Sequence, residues 1–268
     1  MKNWTGERLE TFIYNRVGIE HLHRYAITNT YVKDKIVLDI ASGEGYGTNL
    51  MSKHASFVYG VDIDKESIAR AKLKYKTNNI KFLEGSTSNI PLADNSVDVI
   101  VSFETIEHHD EHEKMMLEIK RVLKSEGILI ISTPDKLHYS ELRDIANEFH
   151  VKELYKNEFT SLISNYFNNF QLLSQTYNNG SSIIQDDTTV ENSNYFYGNY
   201  TMINRRTINP MFLIVIASDF VFEEQNISFF DGGDFIKYEL LADIRSSNTY
   251  KVGHAILLPF KFLKRILK

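Results

Sequence analysis

The chain contains no cysteine. That excludes a disulfide framework and a zinc–thiolate centre. It carries little excess charge: 30 Lys and Arg against 35 Asp and Glu leave a formal net charge of −5. A balance of that sign argues against broad, sequence-independent binding of nucleic acid. Long apolar runs are missing too. Residues 1–14 hold none of signal-peptide type, and no later stretch is long enough to span a bilayer. There is no internal repeat and no long low-complexity tract. What remains is 268 residues, 43% hydrophobic and 24% charged. That composition is ordinary for a globular protein, and the length suits one large domain or a core with a cap. The expected location is a bacterial-type cytoplasm or another reducing space.

The most informative stretch runs from Ile36 to Gly47. A short apolar run ends in Asp39-Ile40, and glycines follow at positions 43, 45 and 47. An apolar run bounded by glycines fits a buried strand. Glycines let the backbone turn tightly and approach a ligand closely, and a following helix points free N–H groups into that turn. The dinucleotide fingerprint G-x-G-x-x-G would need a third glycine at position 48, which is Thr48. An acid on the strand would also repel a pyrophosphate. Asp39 suits instead a ligand with a cationic centre and an ammonium group, such as S-adenosylmethionine. The alternative is a glycine-rich turn without a ligand. Val37 to Gly47 resembles the first motif of class I S-adenosylmethionine-dependent methyltransferases.

A second apolar run, Phe57 to Val61, ends in Asp62, 23 residues beyond Asp39. That is close to the roughly 20-residue offset of the ribose-binding acid in doubly wound folds. Asp64 reads as the cap of a helix over 65–75. A third strand over 80–83 leads to Gly85-Ser86-Thr87. The resembling family often places an acid after this glycine to bond the adenine amino group, and here the residue is Ser86. A fourth strand spans 97–103, a helix 111–123 and a fifth strand 127–134. Alternating strands and helices imply a parallel sheet with helices on both faces. The resemblance implies an α/β, Rossmann-like, seven-stranded and mostly parallel sheet. It also implies a cofactor-facing set of Asp39, Ala41, Gly43, Gly45, Asp62, Ile63, Ser86, Thr87, Phe103 and Arg24.

Methyl transfer from a sulfonium depends mainly on in-line positioning. An alcohol acceptor is protonated at neutral pH, so it needs a general base or a metal ion. Glu104, Glu107 and His108 follow the fourth strand at spacings of three and one. With His150 after the fifth strand, this pattern resembles metal-dependent sugar-hydroxyl methyltransferases, among them the small-RNA 2′-O-methyltransferases. By that resemblance Glu104, Glu107, His108 and His150 are metal ligands. Two carboxylates and two imidazoles suit Mn or Fe, with Mg less favoured by nitrogen ligands. A metal-free version keeps His108, His109 or His150 as general base, with Glu104 facing the cofactor pocket. His21, His23, His54, His112, His138 and His254 read as surface or packed histidines.

Around this core the sequence divides into a helical cap (1–34), a cofactor-binding core (35–135), a segment completing the sheet (136–219) and an extension (220–268). Within the cap, which reads as helical over 3–31, Trp4 to Arg8 and Glu20 to Tyr25 resemble the leader of methyltransferases from bacterial surface-polysaccharide clusters. Arg24 then either meets the cofactor carboxylate or pairs with a surface acid. Residues 149–170 read as helix. Strands over 170–177 and 211–218 flank a polar insert, 178–209, expected to recognise substrate. The tail 256–268 separates four basic residues from an apolar face, as a docked or dimer-forming helix does, or one lying on the inner face of an anionic membrane. Together these point to an O-methyltransferase acting on a sugar, a sugar nucleotide or a related surface-glycan precursor. The alternatives are a small-RNA 2′-O-methyltransferase and a catalytically silent binding module.

Overall fold

The computed structural model describes residue 9, residues 11–190 and residues 193–266, with side chains through residue 257. Trp4 to Arg8 lie outside the described residues, as do the side chains of the tail from 258 onward. The first helix begins at Arg16, later than its apolar periodicity implies, because Asn15 caps it by accepting from the Gly18 amide at 3.3 Å. α1 (Arg16–Ile27) and α2 (Asn29–Val32) lead into a regular alternation. It comprises β1 (Ile36–Ile40), α3 (Tyr46–Met51), β2 (Phe57–Asp62), α4 (Lys65–Lys74), β3 (Ile80–Glu84), β4 (Val97–Ser102), α5 (His112–Val122) and β5 (Leu123–Pro134). These five strands are parallel in the order β3-β2-β1-β4-β5. Strand order reverses between β1 and β4, which opens a crevice at their carboxyl ends.

Burial alternates along the strands as a two-residue period requires. Val37, Val99, Val101 and Ile130 pack on one face with Tyr25 and Met51; Leu38, Ile100, Leu129 and Ile131 pack on the other with Met115, Ile119 and Phe159. Each such side chain contributes roughly 1.5–3 kcal/mol on leaving water. Asp64 caps α4 as expected, accepting from Glu66 N at 2.9 Å.

The second half is α6 (Lys136–Tyr139), α7 (Lys156–Ser164), β6 (Asn169–Asn178), β7 (Ser181–Asp186), α8 (Asp187–Val190), β8 (Tyr195–Asn199), β9 (Met202–Arg206), β10 (Phe212–Ser218), β11 (Ser228–Asp231), α9 (Gly233–Ser246) and α10 (Asn248–Ile266). β10 inserts antiparallel between β5 and β6 and completes the seven expected strands. β7 and β11 then extend the sheet to nine strands. The fold is therefore α/β and Rossmann-like, with a parallel half and an antiparallel edge.

Two local expectations are corrected. Helix α7 covers much less than 149–170. Val151 and Lys152 donate to the Glu107 carbonyl at 2.8 and 3.0 Å, and Leu154 bridges to Asp135, so that backbone is already committed. The insert 178–209 is not a long irregular loop. Asn179 and Gly180 both take positive φ (47° and 87°), forming a two-residue hairpin turn that returns the chain as β7. β8 and β9 then form a separate hairpin. Among the described residues no helix is long and apolar enough to cross a membrane.

Candidate active site

A cavity of about 990 Å³ lies at the carboxyl ends of β1 to β4, walled on one side by α1. Its floor is the turn after β1. Ala41, Gly43 and Gly45 all take positive φ, at 61°, 54° and 84°. A Cβ at Gly43 would meet nothing within 4 Å and would project into open space, whereas one at Gly45 would lie 2.7 Å from the Phe82 ring. Asp62, at the end of β2, accepts from Gly43 N and from Asp64 N, each at 2.8 Å. A buried acid on the cavity wall can thus accept from a ribose diol while bracing the turn.

Asp39 does not line the cavity, contrary to expectation, and neither does Gly45. The Asp39 carboxylate lies beneath the turn, accepting from Thr48 Oγ1 at 2.6 Å and Tyr25 Oη at 3.3 Å. Burial pushes it up to about 7 against the lowering effect of these donors. Its geometry makes it a brace that joins β1, α3 and α1.

Ala41, Gly43, Asp62, Ile63, Ser86, Thr87 and Phe103 reach the cavity as expected. Ile63 is exposed, and the Phe103 ring packs edge-on against Tyr25 at 5.1 Å between centroids. Arg24 lines it too, and it is fully buried, not paired with a surface acid. Its Nη1 donates to Gln175 Oε1 at 2.6 Å and lies 3.8 Å from Glu104 Oε1, and its guanidinium covers the Phe212 ring at 4.8 Å. Among the described residues its Nε has no hydrogen-bond partner. A buried cation with an unsatisfied donor beside a turn that a Cβ would invade fits a cofactor bearing a carboxylate.

At the far end, one ligand atom each from Glu107, His108 and His150 lies within 4.8 Å of the others. His108 ends a short turn of helix over 106–108, and His150 ends a loop strapped to it. His108 Nδ1 donates to the Phe149 carbonyl at 3.0 Å, and its Nε2 lies 4.0 Å from Glu107 Oε1. His150 Nδ1 donates to Glu153 Oε1 at 2.5 Å, and its Nε2 accepts from Asn147 Nδ2 at 2.9 Å. The Tyr139 ring stacks on His150. Each imidazole is thus held at Nδ1 by an oxygen acceptor, as in the outer shell of metal ligands, and His150 would have to give up its Asn147 bond to present Nε2 to an ion.

Glu104 and His109 do not join this group. Glu104 adopts a positive φ of 50°, and its Oε1 accepts from Ser132 Oγ at 2.6 Å while facing Arg24. His109 turns towards Thr87, with Nε2 3.2 Å from the Thr87 hydroxyl, and burial lowers its basicity. It stands beside Ser86 and Thr87, away from the Glu–His cluster. His21, read as an ordinary histidine, lines the cavity and meets the Tyr46 hydroxyl at 2.9 Å. Tyr139 and Glu153 were not singled out either, although Glu153 stands three residues after His150, a spacing one turn can bring together.

Residues 38–131 match the family described as "Methyltransferase domain". A "Probable S-adenosylmethionine-dependent methyltransferase" from Mycobacterium tuberculosis is 38% identical over 128 residues, covering 47% of this chain and 46% of that protein. A similarly described protein from Mycolicibacterium smegmatis is 38% identical over 128 residues, covering 47% of this chain and 49% of its own length. The chain thus spans about half the length of these curated relatives. An S-adenosylmethionine-dependent methyltransferase from Mesorhizobium loti shares the fold, with TM-score 0.54 and 14% identity over 75% of this chain and 98% of that one.

Proposed function

We propose that this chain is an S-adenosylmethionine-dependent O-methyltransferase acting on a hydroxyl of a sugar, a sugar nucleotide or a related surface-glycan precursor, on the cytoplasmic side. One observation carries the reading. A single cavity holds a glycine turn braced by Asp62 at one end and the Glu107, His108 and His150 cluster at the other. The cofactor supplies an electrophilic methyl on a sulfonium. Gly43 and Asp62 hold its nucleoside, Thr87 and His109 border the base, and Arg24 receives its carboxylate. α1 closes one wall, which keeps water from the reacting atoms. His108 takes the acceptor hydroxyl proton, and His150 orients the hydroxyl. The three cluster residues also fit a divalent ion such as Mn, Fe or Mg, which when bound lowers the pKa of a coordinated hydroxyl. The leader resemblance and the absence of a basic surplus favour a glycan precursor over nucleic acid.

Calorimetry with S-adenosylhomocysteine on the intact chain and on Asp62→Ala tests the cofactor end. Binding is expected in the intact chain and at least tenfold weaker in the variant. No heat with the intact chain overturns the reading. Methyl incorporation into a panel of sugar nucleotides tests the acceptor end.

A further inference from the structure

A second cavity, of about 370 Å³, lies where the 178–209 segment meets α6 and α7. It borders the first cavity along two stretches of chain. On α6, His138 lines the second and Tyr139 the first; ahead of β10, Pro210 lines the second and Met211 the first. A single short helix therefore stands between them, and a helix with its side chains is roughly 10–12 Å across. Tyr139, on that helix, is the ring stacked on His150. The lining of the second cavity is unlike that of the first: Lys156, Arg205 and Arg206 face one carboxylate, Asp187. Lys156 pairs with Asp187 at 3.1 Å, and Asp187 also accepts from Ser174. Arg206 donates to Asn178, a neutral partner. Among the described residues Arg205 has no carboxylate partner. Among the described residues, this concave site is thus lined by Lys156, Arg205 and Arg206 against one carboxylate, Asp187. That is the donor set and charge for a phosphate or diphosphate.

We propose that this cavity holds the phosphate or diphosphate of a glycosyl phosphate acceptor, whose sugar ring passes α6 to bring a hydroxyl to His108 and His150. The proposal rests on the sugar-hydroxyl reading above and narrows it to acceptors activated at the anomeric carbon. The ring alone is shorter than a helix with its side chains is wide, so the phosphate linkage supplies the rest of the reach past α6. The chemistry is shared by soluble sugar nucleotides and by lipid-linked sugar diphosphates.

Calorimetry with inorganic pyrophosphate, UDP and farnesyl diphosphate tests the site, with S-adenosylhomocysteine as the control ligand. The intact chain is expected to bind pyrophosphate. The double variant Arg205→Ala/Arg206→Ala is expected to bind it at least tenfold more weakly and to keep its affinity for the control. Lys156→Gln, on a different element, is expected to weaken it in the same direction. Tighter binding of UDP than of farnesyl diphosphate supports a nucleotide acceptor, and the reverse order a lipid-linked one. Loss of diphosphate binding in the variants with no control binding in any protein supports this site and removes the cofactor reading alone. No diphosphate binding by the intact chain, or binding unchanged in the variants, overturns the proposal.

Discussion

Arg24 Nη1 and Glu104 Oε1 face each other 3.8 Å apart inside the cavity, both side chains largely withdrawn from solvent. This pairing explains why Glu104 is absent from the Glu–His cluster. Its carboxylate balances a buried guanidinium and is anchored on Ser132. Leaving either charge alone there would cost several kcal/mol. Glu104→Gln keeps an acceptor for Ser132 and is expected to leave Mn²⁺ affinity within twofold of the intact chain. Glu107→Gln removes a charged oxygen from the cluster and is expected to lower that affinity at least tenfold. Manganese titration by electron paramagnetic resonance separates the two. Equal losses would return Glu104 to the cluster, and no binding by the intact chain would leave a metal-free site.

His108 is the cluster residue whose ring is oriented by a hydrogen bond from Nδ1 to the Phe149 carbonyl, with Nε2 turned towards Glu107. General-base catalysis contributes typically 10²–10⁴-fold. His108→Ala is expected to reduce turnover by that order while S-adenosylhomocysteine affinity changes less than twofold. Unchanged turnover would remove the residue from the chemistry, and lost cofactor affinity would show that it shapes the pocket instead.

The parallel half of the fold was legible because each strand announces itself twice, as an apolar run and by the acid or glycine at its carboxyl end. Asp62 and Gly43 could be placed for that reason. Asp39 is the instructive exception. Its spacing marked it correctly as special, but spacing cannot distinguish a carboxylate that lines a cavity from one that props up the turn beneath it. That choice is made by Tyr25 and Thr48, which lie 14 residues before it and nine after it. Glu104 faces the cavity, as one of its two readings had it, and stands outside the Glu–His cluster because its partner Arg24 is 80 residues away in the chain. The missed strand β7 had a readable signal in Asn179-Gly180, a two-residue hairpin turn hidden in a segment whose polarity suggested a loop.

The approach of α1 to α3 has a steric test. A Cβ at Gly47 would come within 2.0 Å of the Tyr25 ring, whose hydroxyl reaches Asp39. The ring has little room to retreat, because Tyr46 and Phe103 pack edge-on against it. Gly47→Ala is therefore expected to destabilise the chain by about 1–3 kcal/mol through overpacking. It should also weaken cofactor binding, since Tyr25 lines the cavity. Urea denaturation with and without S-adenosylhomocysteine measures both. Wild-type stability in the variant would mean that the two helices pack less closely than this.

His23 gives the clearest dependence of stability on pH. It is buried, with Nδ1 2.9 Å from Ser182 Oγ on β7 and Nε2 2.9 Å from Ser228 Oγ on β11, so it ties α1 to the added strands. Burial, helped by the Arg24 charge, lowers its pKa from 6.5 to about 4. The unfolded chain takes up this proton near pH 6.5 and the folded chain only near pH 4, so between those values the unfolded state holds more protons. Acid therefore favours unfolding. The contribution is complete above pH 6.5 and is lost as pH falls towards 4, by up to about 3 kcal/mol. Asp39 works in the opposite direction. Its folded pKa is raised to about 7, so the folded state holds the extra proton between about pH 4 and 7 and loses stability as pH rises. The whole-protein profile is therefore a sum of opposed slopes, and a difference between proteins is needed to isolate one of them. His23→Gln keeps polar atoms within reach of both serines and removes the titration. At pH 7.5 the variant is expected to be the less stable, by the packing it loses. By pH 5 the gap should narrow by at least 1 kcal/mol in urea midpoints converted to free energies. Parallel curves for the two proteins across that range would mean that His23 titrates alike in the folded and unfolded chain, and that the two serines do not hold it neutral.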